Sequence, residues 1–266
     1  MELIRKAGNR GKFYPSDAAV IEQMIKQWNL IVRENGLEFP HIRPEAVVCP
    51  HAGYVYSGFT ANTAHRLIPR SRPEHILVVG PSHHVYIEGM SLGNFDAYET
   101  PFGMLKGDTE AAEYLARLYP FTFSAEAHYL EHSTETQFPF IKYYNPDTKI
   151  TELIYGRVSP SEIAAVITAF KKLPRSVVVV STDLSHYYPQ EQANRLDAYC
   201  LEAVKHLDLY MLNKGCEACG KPGLAAIIET ARAREWKAEV LDYRTSGDVT
   251  GDYSAVVGYM SAAFYQ

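Results

Sequence analysis

Short apolar runs rich in β-branched residues recur along the chain and restrict its fold more than any other feature. The clearest is Ser176-Val-Val-Val-Val-Ser181, and the others lie near residues 45–50, 75–80, 150–156, 237–242 and 254–263. Such runs are typical of strands buried on both faces. Helical patterns separate them, at about 17–34, 58–67, 108–119, 159–173, 190–207 and 221–235. The alternation predicts an α/β fold, a single three-layer domain over residues 1–266 with a mostly parallel central sheet flanked by helices.

Two local patterns refine this prediction. Ser159-Pro-Ser-Glu162 has Pro at the first helical position and Glu in capping-box register, so a helix is expected to begin there. Segment 86–107 breaks the alternation, because Gly89, Gly93 and Gly103 divide it into short pieces. It is expected to form antiparallel, hairpin-like strands or an irregular excursion beside the site.

Composition excludes several classes of protein. Hydrophobic residues make up 47% and charged residues 21%, as in an ordinary globular protein, and the net charge of −5 provides no basic footprint for nucleic acid. No apolar stretch approaches the roughly 18 residues of a membrane span. The opening Met1-Glu-Leu-Ile-Arg-Lys lacks a signal-like apolar region, so a cytoplasmic location is expected. Four unevenly spaced cysteines do not form a disulfide framework, and reduced thiols are expected.

Polar side chains follow four of the strand-like runs directly. They are His51, then His83 with His84, then Asp183 with His186, and finally Asp248. In an open α/β sheet, groups just past the carboxyl ends of the strands converge on one crevice. The sequence therefore predicts one polar, metal-binding site.

His51, His83 and Asp248 are the expected ligands, since two histidines and one carboxylate suit non-haem Fe(II). His84 is expected to support or orient the site, because adjacent residues of an extended strand point to opposite faces. Asp183 and His186 have the i, i+3 spacing of an acid/base imidazole beside its carboxylate. Structural alternatives stay open: His51 or Asp183 as a helix cap and Asp248 in an Asx-turn.

A second polar segment, Glu131-His132-Ser-Thr-Glu135, offers two carboxylates and an imidazole for substrate contact or support of the ligands. Cys216-Glu-Ala-Cys219 is a lone C-x-x-C, whereas a structural zinc site needs a second pair. We expect Cys219 to pack inward at a Gly-rich helix entrance.

Taken in order, these motifs resemble the Memo family, known in prokaryotes as AmmeMemoRadiSam system protein B. The resemblance rests on Ala7-Gly-Asn-Arg-Gly-Lys-Phe-Tyr-Pro, Pro50-His-Ala-Gly-Tyr54, Gly80-Pro-Ser-His-His, Glu131-His-Ser-Thr-Glu, Ser181-Thr-Asp-Leu-Ser-His, Cys219-Gly and Ser246-Gly-Asp. That family is similar in fold to LigB-type class III extradiol dioxygenases, which hold Fe(II) with two histidines and a carboxylate.

The resemblance implies that His51 and His83 are ligands, that His186 with Asp183 beside it performs acid/base work, and that Tyr54 lines the pocket. Animal members use a cysteine near the last motif as third ligand, where this chain offers Asp248.

Three functions follow as hypotheses. The first is a non-haem-iron-type metalloprotein with redox or dioxygenase-like activity, holding Fe(II), with Zn or Cu as alternatives, and contacting substrate through Glu131, His132, Glu135, His84 and Tyr54. The second is metal-dependent hydrolysis with His186 or Glu135 as base. The third is a non-catalytic binding or scaffold protein. The expected partners are a small molecule or peptide and a radical-SAM protein, with neither nucleic acid nor membrane.

Overall fold

The computed structural model describes residues 2–266. The strands in that range are β1 (Ile4–Arg5), β2 (Ala46–Cys49), β3 (His75–Pro81), β4 (Met90–Leu92), β5 (Ala97–Thr100), β6 (Gly103–Gly107), β7 (Lys149–Tyr155), β8 (Ser176–Ser181), β9 (His186–Tyr188), β10 (Lys237–Thr245) and β11 (Val256–Tyr265). The helices are α1 (Ala18–Glu34), α2 (Tyr54–His65), α3 (Thr109–Ala116), α4 (Ala125–Leu130), α5 (His132–Glu135), α6 (Phe138–Tyr144), α7 (Pro160–Phe170), α8 (Gln190–His206), α9 (Leu209–Gly215), α10 (Lys221–Ala233) and α11 (Gly247–Thr250), with a 3₁₀ turn at Ile68–Ser71. None of these described helices is long and apolar enough to cross a bilayer.

A mixed sheet holds the strands in the order β1-β5-β6-β7-β3-β8-β2-β11-β10. At its centre, β6, β7, β3, β8 and β2 run parallel. Both flanks are antiparallel, with β11 and β10 beyond β2 and with β5 beyond β6. Two short strands join from the side, β4 on β7 and β9 on β11. The predicted α/β fold is confirmed, and its parallel strands form the centre of the sheet.

The valines of β8 show how the sheet packs between two layers of helices. Val178 and Val180 pack into a core with α7 and α10, whereas Val177 and Val179 pack into a second core with α2 and α6. Successive side chains of a strand point to opposite faces, so a run of valines covers both sides of a sheet. Helices therefore lie on both faces of the sheet, as the uninterrupted apolar runs predict.

Local signals in the sequence match the observed elements closely. Each of the six apolar runs is a strand, and Ser159 forms the expected capping box with Glu162. Segment 86–107 contains the antiparallel hairpin β5–β6, which extends the sheet beside β1. The segment that opens at Glu131 is helix-like in sequence and forms α5, whereas the short helices α4 and α9 were not predicted, because a helix of one or two turns has little room for an apolar period.

The expectation of reduced thiols is wrong for one pair of cysteines. Cys200 of α8 and Cys216, which follows α9, form a disulfide, whereas Cys49 and Cys219 are free. Helices α8 and α9 are joined by a short turn and pack on each other, which brings two thiols 16 residues apart within bonding distance. Cysteine spacing alone does not reveal such a contact.

Strands β3, β8 and β2 are neighbours, and Cys49 at the end of β2 lies directly beside Ser181 at the end of β8. The segments that follow these strands therefore leave the sheet at the same edge. This edge carries His51, His83 and Asp183, as the strand-end pattern predicts.

Candidate metal centre

His51 is buried just beyond β2, and its protons can be assigned from its partners. The Ser181 hydroxyl donates its one proton to the Ser133 carbonyl at 2.5 Å, so toward the Nδ1 of His51, 2.9 Å away, it acts as acceptor. Nδ1 of His51 therefore carries a hydrogen, and its Nε2 is the ring atom that is left to face a ligand. A histidine oriented by a hydrogen bond to its other ring nitrogen is the usual arrangement of a metal ligand.

His83 is oriented by a carboxylate instead of a hydroxyl. Its backbone N–H and its Nδ1 both bind the buried carboxylate of Glu131, the latter at 2.9 Å. Burial lowers the pKa of His83, but the hydrogen bonds of its imidazole with Cys219 and Glu131 outweigh burial and raise this pKa to about 10. Burial likewise raises the pKa of Glu131, and the hydrogen bond and charge of His83 outweigh this effect and lower it to about 2.

His132 completes the group at the first position of α5. Its ring stacks on Phe13 with centroids 4.3 Å apart, and its Nδ1 lies 3.3 Å from the Glu131 carboxylate. Glu131 also caps α5 by accepting from the Ser133 N–H at 2.8 Å. One carboxylate therefore positions both His83 and His132. Burial, together with the charges of His51 and other neighbouring groups, lowers the pKa of His132 to about 3.

The three imidazoles converge. Their ring centroids are 5.1 Å apart for His51 and His83, 5.3 Å for His51 and His132, and 4.6 Å for His83 and His132. One ligand nitrogen from each lies within 4.8 Å of the other two. Nitrogen ligands surround an ion at about 2.0–2.1 Å, so this spacing fits one transition metal with small adjustments. His51 is buried whereas His83 is exposed, so the group lies at an open edge.

Cys219 is the residue of this site that the sequence reasoning missed. Its thiol lies 3.3 Å from Nε2 of His51 and accepts the Asp183 N–H at the same distance. Burial raises the pKa of this thiol, but the charge and hydrogen bond of His51, with a further hydrogen bond from His83, outweigh burial and lower it to about 6. The pair Cys219-Gly220 before a helix was the signal that could have found it.

Asp183 lies beside His51, and the charge of His186 acts on Asp183. The Asp183 carboxylate accepts the His51 N–H at 2.8 Å, and its other oxygen lies 3.9 Å from His51 Nε2. Burial raises the pKa of Asp183 to about 6, although the His51 hydrogen bond and the charge of His186 oppose it. His186 is half-buried at the start of β9, where it pairs with Val257. His84 is exposed, with its Nε2 3.3 Å from Nδ1 of His132.

The predicted ligand Asp248 is not brought to this group. It is exposed on α11, and its carboxylate accepts the backbone N–H of Thr245 at 2.8 Å. Its charge acts on Asp242 and Tyr243 of β10. The turn between β10 and β11 coils into a short helix and uses the carboxylate to satisfy its own backbone. In the described residues, His132 stands with His51 and His83 in place of Asp248.

Two residues expected to contact substrate have structural roles instead. Glu135 is fully buried, and its carboxylate binds Arg5, Asn9 and Tyr14 of the N-terminal segment. Those donors occupy both oxygens, which also excludes Glu135 as a general base. Tyr54 is buried as well, with its hydroxyl donating to the Thr136 carbonyl at 2.7 Å. His132 therefore faces the site, whereas Glu135 faces the N-terminal segment.

Comparison with known proteins agrees with the motifs. A family model described as Memo-like protein matches residues 5–263. A MEMO1 family protein of Methanobrevibacter smithii is 34% identical over 98% of this chain and 100% of its own length. Those of Archaeoglobus fulgidus and Aquifex aeolicus are each 34% identical too, over 96% and 98% of this chain and 97% and 99% of their own lengths.

Proposed function

This chain belongs to the Memo-like protein family, and from that premise we propose that His51, His83 and His132 bind one transition-metal ion. The observation that carries the proposal is the convergence of one ring nitrogen from each histidine within 4.8 Å of the other two. Ser181 and Glu131 engage Nδ1 of His51 and of His83, so the two Nε2 atoms are the ones that an ion would occupy, at His83 in exchange for the proton that its raised pKa retains. Neutral imidazoles suit iron, copper and zinc, and the Cys219 thiol beside His51 adds a soft donor.

Fe(II) is the ion we propose, with Zn and Cu as alternatives, and a redox or dioxygenase-like activity on a small molecule or peptide is the function. A redox-active ion would supply electron transfer to a substrate bound beside it. The chain's own groups would do the rest: the open side at His83 and His84 would admit the substrate, and the buried Asp183, whose pKa is raised to about 6, would accept and return a proton near His51. His186 is the proposed second acid/base group, because its charge reaches Asp183. The likeness to LigB-type dioxygenases stays a prediction.

Two other functions have support in particular features. With Zn bound, Asp183 would serve as the base of a hydrolase, since burial raises its pKa to about 6. A non-catalytic binding role is favoured by the exposure of His83 and His84 at the edge of the histidine group. A radical-SAM protein is the partner that the prokaryotic family name suggests. The cytoplasmic location also stays a prediction.

The test is metal analysis of protein purified anaerobically, followed by Fe(II) titration. We expect about one ion per chain in the wild type and none in the His51→Ala/His83→Ala variant. His132→Ala should weaken Fe(II) binding by roughly 10- to 100-fold, the cost of a lost supporting or direct contact. Asp248→Ala, the matched control, should bind as the wild type does, because its carboxylate caps Thr245 instead.

Loss of binding in Asp248→Ala with normal binding in His132→Ala would contradict the three-histidine set and restore the two-histidine, one-carboxylate set. No metal in any of the proteins would favour the non-catalytic role. Oxygen uptake with candidate substrates then separates redox activity from hydrolysis, since only the former consumes oxygen.

A further inference from the structure

A second polar cavity lies at the opposite edge of the sheet from the histidines, where the parallel strands begin. It has a volume of about 420 Å³ and is lined by four arginines, a serine and one carboxylate, namely Arg43, Arg70, Arg72, Arg175, Ser71 and Glu45. We call it the arginine cavity. The whole chain carries a net charge of −5, so the accumulation of arginines here is local and not a consequence of general basicity.

The single carboxylate of the arginine cavity is already neutralised. Glu45 lies 2.7 Å from the ammonium of Lys171, whose side chain is almost fully buried. Arg70 is held in place because its guanidinium donates to the backbone carbonyls of Glu38, at 3.0 Å, and of Phe39. Arg175 is paired with Glu74, and among the described residues Arg43, Arg70 and Arg72 have no carboxylate partner, so the cavity presents excess positive charge on a partly fixed frame.

The backbone at two of these arginines is strained. Arg72 and Arg175 have φ angles of 47° and 49°, in the left-handed region that favours glycine. Each precedes a central strand, Arg72 before β3 and Arg175 before β8, and the first residues of those strands, His75 and Ser176, are paired. A residue with a Cβ atom is destabilised in this conformation, because the Cβ lies too close to the backbone. Strain of this kind is commonly retained where the side chain has a function.

A larger cavity adjoins and shares Arg72 and Arg175. Its volume is about 690 Å³, within the range of small-molecule sites, and Pro69, Pro73 and Tyr144 supply apolar wall. Its carboxylates are Glu74, paired with Arg175, Glu110, 3.3 Å from Lys149, and the exposed Asp147. Exposed ion pairs of this kind contribute little free energy, so a bound anion can displace Glu74 from Arg175.

We propose that the arginine cavity binds the phosphate of a phosphorylated small molecule, whose organic part occupies the adjoining cavity. Planar guanidinium groups donate two parallel hydrogen bonds to a phosphate, which is why arginines predominate in such sites. The site is separate from the histidine group, since Arg72 precedes β3 and His83 follows its far end.

The test is a calorimetric titration of the full-length protein with pyrophosphate at low salt. The wild type is expected to bind pyrophosphate, and the Arg72→Gly/Arg175→Gly variant is expected to bind it at least tenfold more weakly. Because glycine relieves the strain at both positions, the variant should melt no lower than wild type, which separates lost binding from lost folding. Glu235→Gly is the matched control. Glu235 has a φ of 55°, is exposed and lines neither cavity, so this variant should bind pyrophosphate as the wild type does.

Repeating the titration with His51→Ala/His83→Ala excludes binding through a metal at the histidine site, and binding should persist there. The proposal is overturned if wild type does not bind pyrophosphate, if the double glycine variant binds equally well, or if binding vanishes with the two histidines. Equal affinity for citrate would also overturn it, because the site would then not distinguish phosphate from carboxylate.

Discussion

At the scale of single residues, the orientation of the Gln137 amide determines which of the atoms next to His51 carry protons. The amide nitrogen of Gln137 donates to the Pro50 carbonyl at 3.0 Å and to the Ser181 hydroxyl at 3.1 Å. Its oxygen is therefore the acceptor for His65 Nε2, 2.8 Å away. The other ring nitrogen of His65 is buried without a hydrogen-bond partner among the described residues. His65 must then be neutral, and the orientation of His51 depends on it through Gln137 and Ser181.

This network predicts a pH dependence of stability. Burial lowers the pKa of His65 to about 4, although the Gln137 hydrogen bond opposes it, whereas the unfolded chain titrates near 6.5. Between these values the unfolded state binds more protons, so the free energy of unfolding falls as pH drops from about 6.5 to 4, by up to about 3 kcal/mol. Urea unfolding at pH 4.5 and pH 7 should show a smaller difference for His65→Gln than for wild type. Equal differences would mean that His65 is not held neutral.

At the scale of elements, sequence patterns reveal strands and long helices but not what holds the short ones. The valines of β8 and the capping box of α7 carry their signal within a few neighbouring residues, so both elements were predictable. Helix α5 has four residues and no such signal. Its side chains are assigned to the site or to the core by contacts with the N-terminal segment. For that reason His132 and Glu135 could not be separated in advance.

Arg5 makes the contacts that hold α5 in place. Its guanidinium donates to the Glu131 carbonyl at 2.9 Å, pairs with Glu135 at 2.5 Å and lies 3.4 Å from Glu152. All three side chains are fully buried, so the two carboxylates share this one arginine as their counter-charge, and His128 lies 2.8 Å from Glu152. Removing one partner of a buried ion pair leaves an uncompensated charge, which is strongly destabilising.

Arg5→Met should therefore lower the free energy of unfolding by about 3–5 kcal/mol, although methionine fills most of the space. Because α5 would lose its anchor, we also expect weaker Fe(II) binding in the fraction that folds. Denaturant unfolding and metal titration measure the two effects. Arg10→Met is the control: Arg10 is 3.8 Å from Glu99 at the surface, and its ion pair is worth about 1 kcal/mol or less. Equal losses in both variants would contradict the role of Arg5.

At the scale of the whole molecule, the sheet was predictable in its parallel centre, where buried runs alternate with helices. The antiparallel pairing of β11 with β2 was not, because it joins strands that are distant in sequence, and the disulfide was not, because it depends on how α8 and α9 pack. Cys200–Cys216 lies in the layer of α8 and α9, and none of the three clustered histidines is on these helices. The disulfide therefore supports this layer without holding the histidines directly.

Cys200→Ala/Cys216→Ala should be less stable than the wild type by up to roughly 3 kcal/mol, the loop-closure entropy of a disulfide of this span. Calorimetric melting with and without reductant measures it. Reductant should lower the melting temperature of the wild type toward that of the variant and leave the variant unchanged. Metal content should be retained. A wild type insensitive to reductant would show that the disulfide is not formed.

The long-range pairing of Arg5 with Glu135 also has a consequence for synthesis on the ribosome. Arg5 meets Glu135 across 130 residues of chain, and His51 meets Ser181 across another 130. Arg5 lacks its buried partner until the 130 residues that lead to Glu135 have been made, and the partner that assigns the proton on His51 is made later still. Translation therefore delivers His51 and His83 before the groups that orient them, so the proposed metal ion would bind only after those later segments have folded.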